Sequence, residues 1–114
     1  MVSVGQNPWP RTGYPGRRKT IPTFIRLANL TDQAVRNVQD LGAMLDDARK
    51  IFEANRCRLV QAWSTLGAYD IVAIVDGPDE ATVMKASALI AKQGNFRATT
   101  MPAIPMKEFI DSVR

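Results

Sequence analysis

Apolar residues recur along this chain with two different periods, and the switches between them lay out the elements in order. Residues 22–30, PTFIRLANL, alternate with the period of two that a strand imposes, with Ile25 and Leu27 on one face and Phe24, Arg26 and Ala28 on the other. From residue 31 the period becomes helical: Ala34, Val38, Leu41, Leu45, Ala48 and Phe52 fall on one stripe, supported by Val35 and Ile51. Thr31 suits the N-cap, and Asp32 favours the positive end of the helix dipole. One amphipathic helix is therefore expected over residues 31–55, with Met44 as packing.

Two strands follow, CRLVQAWST (57–65) and DIVAIV (70–75), joined by a reversal in which Gly67 tolerates positive φ. DGPDE then ends the strand and starts a second helix, with Pro78, Asp79 and Glu80 in its first turn. Its inward stripe is Val83, Ala86 or Ser87, and Ile90, and Gly94 closes it. FRATTM (96–101) is a fourth strand, which Pro102 and Pro105 end. Residues 106–114 form a short helix whose Phe109, Ile110 and Val113 are expected to dock on a neighbour or on the domain itself. The order is β-α-β-β-α-β, a ferredoxin-like α+β fold with a four-stranded antiparallel sheet and two helices on one face. The other face is left for water, a ligand or another subunit.

A reversal about Leu66 and Gly67 sets Trp63 opposite Asp70, Gln61 opposite Val72 and Leu59 opposite Ile74. The covered face is then Val60, Ala62, Ile71, Ala73 and Val75, with Ile25 and Leu27. The open face receives Phe24, Arg26, Leu59, Gln61, Trp63, Asp70, Val72, Ile74, Arg97, Thr99 and Met101. Such a mixture suits a subunit interface enclosing a few polar groups. On it, Arg26 and Arg97 are the candidates to hold a small anion, with Asp70, Gln61 and Thr99 orienting it and Trp63 as a wall. Asp70 as base and Tyr69 as acid are the weaker, catalytic candidates. Tyr69 has the opposite parity and reads better as hairpin packing.

Composition removes several classes of chemistry. The 114 residues include no histidine, which excludes Ser-His and Cys-His catalysis and the usual zinc and haem ligation, so neither metal nor cofactor is expected. The lone Cys57 cannot form an internal disulfide and reads as a small packed side chain in a reducing, cytoplasmic setting. The net charge of +4 resides in residues 1–20, a Pro- and Gly-rich stretch that carries Arg11, Arg17, Arg18 and Lys19 and no acid. This stretch reads as a disordered tail, and residues 21–114 as a single domain. Beyond residue 20, eleven Lys and Arg balance eleven Asp and Glu, so no domain-wide basic footprint for nucleic acid exists. In the tail, Trp9 and Tyr14 beside Arg11 and Arg17 are candidates to stack on bases or dock on a partner. No apolar run approaches the roughly 18 residues of a membrane span, nor does the N-terminus show the apolar region of a signal peptide.

The stretch LGAYDIVAIVDGPDEATV, followed by QGNFRATTMPA, resembles the GYD-domain proteins, small bacterial proteins with a Gly-x-Tyr-Asp signature. Leu66, Gly67, Tyr69, Asp70, Pro78, Asp79, Gly94, Asn95, Arg97 and Thr100 carry the likeness, which covers about residues 22–103. Gly77 departs from it, standing where alanine often precedes Pro-Asp. The resemblance implies kinship with the dimeric α+β barrels, in which two such sheets face each other, and hence a homo-oligomer. It points to a ligand-binding or accessory module with its pocket over the open face. The alternative that it carries is a cofactor-free isomerase, cyclase or oxygenase with Asp70 as base.

Overall fold

The computed structural model describes residues 21–114. Strands β1 (Thr23–Leu30), β2 (Arg58–Ser64), β3 (Ile71–Asp76) and β4 (Phe96–Ala103) form one antiparallel sheet in the order β2-β3-β1-β4. Helices α2 (Leu41–Ala54) and α3 (Glu80–Lys92) cover one face. Met44, Ala48 and Phe52 of α2 and Val83, Ala86 and Ile90 of α3 are buried against Phe24, Ala28, Ile71, Val75 and Phe96 of the sheet. The β-α-β-β-α-β order expected from the two periods is the observed one. The calls on residues 1–20 lie outside the described residues. Among those described, no helix is long and apolar enough to cross a membrane.

The first helical segment is broken rather than continuous. It divides into α1 (Asp32–Arg36), a short 3-10 turn at Val38–Asp40, and α2. Thr31 caps α1 as expected, its Oγ1 accepting from the Ala34 amide at 3.2 Å. Asn37 ends it: with φ −120° its backbone leaves the helical region, and its side-chain amide donates to the Gln33 carbonyl at 2.9 Å. An asparagine that satisfies itself locally competes with the helical ladder. Val35 and Val38 consequently stay exposed; α1 contributes only Ala34 to the core, and the rest of the stripe lies in α2.

Two strand assignments are corrected. Phe24 and Arg26, expected on the open face, lie under the helices, and Ile25 and Leu27 lie on the open face. The register decides this, because Phe24 pairs with Val75 and Arg26 with Ala73, both inward residues of β3. In β2 an irregularity between Leu59 and Gln61 places one extra residue, Val60, against β3. Leu59 therefore pairs with Val75 and packs on the core, Gln61 pairs with Ile74, and Trp63 pairs with Val72 rather than Asp70. A bulge shifts parity without any signature in the hydrophobic pattern.

The turns follow the sequence more closely. Gly67 and Gly94 have φ of +113° and +85°. Asp79 caps α3 by accepting from the Thr82 amide at 2.7 Å. Gly77 is buried for a different reason: a Cβ there would run into Val83 Cγ2 and stand 3.2 Å from Cys57 Sγ. We expect Gly77→Ala to lower unfolding free energy by about 1–3 kcal/mol through overpacking, measurable by urea denaturation. The last helix, α4 (Met106–Ser112), leaves Met106, Phe109, Ile110 and Val113 exposed rather than docked on the domain.

Candidate functional site

The residues singled out from sequence separate into three places, on the two faces and at one end of the sheet. At the end where β1 finishes and β3 begins, Asp70 Oδ2 accepts from the Leu30 amide at 2.9 Å. The Asp70 amide in turn donates to the Ala28 carbonyl at 2.9 Å and to Asn29 Oδ1 at 3.1 Å. Across the same strand end, Thr31 Oγ1 donates to the Gly94 carbonyl at 2.6 Å, and the Thr31 amide donates to the Asn95 carbonyl at 3.1 Å. Asp70, Gly94 and Asn95 thereby clasp the end of β1 from both sides. The carboxylate of Asp70 is engaged with a backbone amide rather than with an arginine. Tyr69 sits at the hairpin, where its carbonyl accepts from Thr65 Oγ1 at 2.6 Å.

The open face carries Ile25, Leu27, Gln61, Trp63, Val72, Ile74, Arg97, Thr99 and Met101. Gln61, Trp63, Arg97 and Thr99 are thus on the face expected of them. Arg26 is on the other side of the sheet, so the six proposed ligand-binding residues do not converge. Trp63 and Met101 are each 39% exposed, and they flank the aliphatic centre formed by Ile25, Leu27, Val72 and Ile74.

Under the helices, Arg26 is the one charged residue that is buried among the described residues, at 6% exposure. Its Nη1 donates to Ser87 Oγ at 2.8 Å and, at the long limit, to Thr100 Oγ1 at 3.5 Å. Its guanidinium carbon lies 5.5 Å from the centre of the Phe52 ring, a cation–π contact. Burial pulls its pKa down to about 10. It therefore stays charged at neutral pH. Among the described residues no carboxylate faces it. Sequence reasoning named Arg26 but missed Ser87 and Thr100 as its partners. The available signals were a serine on the inward stripe of α3 and an arginine in the middle of an apolar strand.

Ser87 and Thr100 also line a cavity of about 470 Å³ between α3 and β4, together with Phe24, Val83, Met84, Ala88, Pro102 and Glu80. A small void of about 20 Å³ lies on the α2 side of Arg26. Burial pushes the Cys57 thiol up, and its Sγ is 3.5 Å from the Asn55 carbonyl, so it fits a packed and unreactive role. Among the described residues, no three Cys, Asp or Glu side chains gather closely enough to hold a metal ion.

Comparison with known proteins adds two findings. Residues 24–113 match the family model described as GYD domain. The chain is also similar to a protein of Thermus thermophilus named glutamine synthetase and cystathionine beta-lyase binding protein. The two are 33% identical over 94 residues, covering 79% of this chain and 96% of the relative.

Proposed function

The chain belongs to the GYD-domain family, and we propose that it works as an accessory binding module in the cytoplasm, docking on metabolic enzymes rather than catalysing a reaction itself. The observation that carries this reading is the uncovered sheet face. Its centre is aliphatic at Ile25, Leu27, Val72 and Ile74, its margin holds Trp63, Gln61, Arg97 and Thr99, and both core helices lie on the opposite side. An apolar centre with a polar and aromatic margin is the anatomy of a protein interface. A second copy of the chain covers it, face to face, in a homodimer whose enclosed space is bordered by Gln61, Trp63, Arg97 and Thr99. The Thermus relative, by its name, binds glutamine synthetase and cystathionine beta-lyase. Enzymes of amino-acid metabolism are accordingly the partners of first choice here.

The alternative of a cofactor-free isomerase, cyclase or oxygenase needs a base free to meet substrate. Asp70 accepts from a main-chain amide at the sheet end, which supports a structural duty instead.

Light scattering coupled to gel filtration tests the assembly. The native chain is expected at twice its 12.6 kDa mass, and Ile74→Lys, which sets a charge at the centre of the face, is expected to give monomers that remain folded. Titration of purified glutamine synthetase and cystathionine beta-lyase against the immobilised protein tests the docking. A native monomer overturns the face-to-face dimer, and absence of binding to both enzymes overturns the choice of partners.

A further inference from the structure

The cavity between α3 and β4 lies on the helix side of the sheet, away from the face discussed above. It is walled mainly by apolar groups such as Phe24, Val83 and Met84, and its volume of about 470 Å³ falls within the roughly 300–1,000 Å³ usual for small-molecule sites. Two hydroxyls, Ser87 and Thr100, interrupt that apolar wall, and both accept from the same buried guanidinium. A hydroxyl that accepts from a cation still has its own proton to donate. Neither hydroxyl donates to a protein acceptor among the described residues, so each can turn that proton into the cavity.

Behind them, Arg26 is 94% removed from solvent by its 6% exposure, with no carboxylate opposite it. A buried charge is costly unless it is paired. The guanidinium has five donors, and the two bonds recorded among the described residues both come from Nη1. A positive charge held in a low-dielectric wall, and relayed to the cavity by two hydroxyls, is a receptor for negative charge. Glu80 stands at the other end of the cavity, two helical turns before Ser87, about 10 Å along α3 at the helical rise. Its carboxylate repels an anion there, so the negative group of a ligand belongs at the Ser87 end.

We propose that this cavity is a binding site for a small organic anion, a carboxylate or a phosphate monoester with an apolar body. The head group accepts from Ser87 and Thr100 in front of Arg26, and the body lies along Phe24, Val83 and Met84. The site is independent of the protein-docking reading, because it uses the other side of the sheet.

Benzoate, phenyl phosphate and benzylamine share a ring and differ in head group, and calorimetric titration of each into the full chain tests the site. One or both anions are expected to bind in the millimolar range or tighter, and the amine is expected not to bind. Whichever anion binds identifies the head group, carboxylate or phosphate. Arg26→Met should weaken anion binding at least about tenfold, the loss of one charge-assisted interaction. Its fold is expected to persist, since the change removes an unpaired buried charge. Ala88→Phe, on the exposed side of α3, fills the cavity without touching Arg26 and should abolish binding while leaving the melting curve in place. Amine binding equal to that of the anions, no binding by any of the three, or unchanged anion affinity in the two variants would overturn the proposal.

Discussion

Phe52→Ala is expected to remove about 3–5 kcal/mol of stability, the usual cost of deleting a buried phenyl ring. Phe52 is 1% exposed and belongs to the cluster that joins α2 to the inward face of the sheet. The loss has two components: the apolar contacts themselves, and the ring face on which the Arg26 guanidinium rests. Arg26 has no carboxylate to fall back on, so truncation leaves its charge less compensated than before. Against the roughly 5–15 kcal/mol that holds a domain together, the variant should be marginal or unfolded at room temperature. A urea titration followed by circular dichroism measures this directly. Phe52→Leu, which keeps most of the volume but no π face, separates the two components. If Arg26→Met in the Phe52→Leu background recovers stability, the ring's interaction with the charge is the part that was lost.

The second large effect is expected at Asp70. Asp70→Ala leaves the Leu30 amide without its acceptor at the junction of β1 and α1, a loss of about 1–3 kcal/mol. Asp70→Asn keeps an oxygen in the same place and should recover most of that loss. The pair of variants also bears on mechanism. A structural acceptor tolerates the amide, whereas a general base does not, because an amide cannot take a proton. Thermal melts of the two variants beside the native chain give the comparison. Equal destabilisation by Asn and Ala would show that the negative charge itself, and not the acceptor, holds the strand end.

These expectations place the family's signature in physical terms. Gly67 permits the reversal before β3, Asp70 holds the Leu30 amide, and Gly94 and Asn95 supply carbonyls to Thr31. Asp70 and the Gly94–Asn95 pair, far apart in sequence, meet at one end of the sheet, where β1 stops and α1 begins. A clasp of this kind sets the entry of the first helix and leaves both faces of the sheet free to vary. The open face and the α3–β4 cavity are accordingly where the chemistry of recognition has to be sought.

The elements themselves were legible because period is a local property. A strand's alternation and a helix's stripe repeat within a few residues, and the caps at Thr31 and Asp79 and the turn at Gly67 need only near neighbours. The break at Asn37 was less so, since it depends on a side chain choosing the Gln33 carbonyl over solvent. In β3, where Ile71, Ala73 and Val75 face the core, the inward set could be read directly.

The sequence by itself determined the β-α-β-β-α-β order, the likeness to the GYD-domain proteins and the absence of histidine chemistry. Only the tertiary structure decided which face of β1 turns inward. Phe24 with Ala28 and Ile25 with Leu27 are both credible apolar faces, and the choice rests on the pairing of Phe24 with Val75 and of Arg26 with Ala73, far along the chain. The same pairing carried Arg26 beneath the helices, among the small side chains Ala28, Ala48 and Ala73. One extra residue at Val60 likewise moved Leu59 into the core. Register and bulges are long-range decisions in which a shift of one residue exchanges the two faces of a strand, so a local pattern cannot carry them.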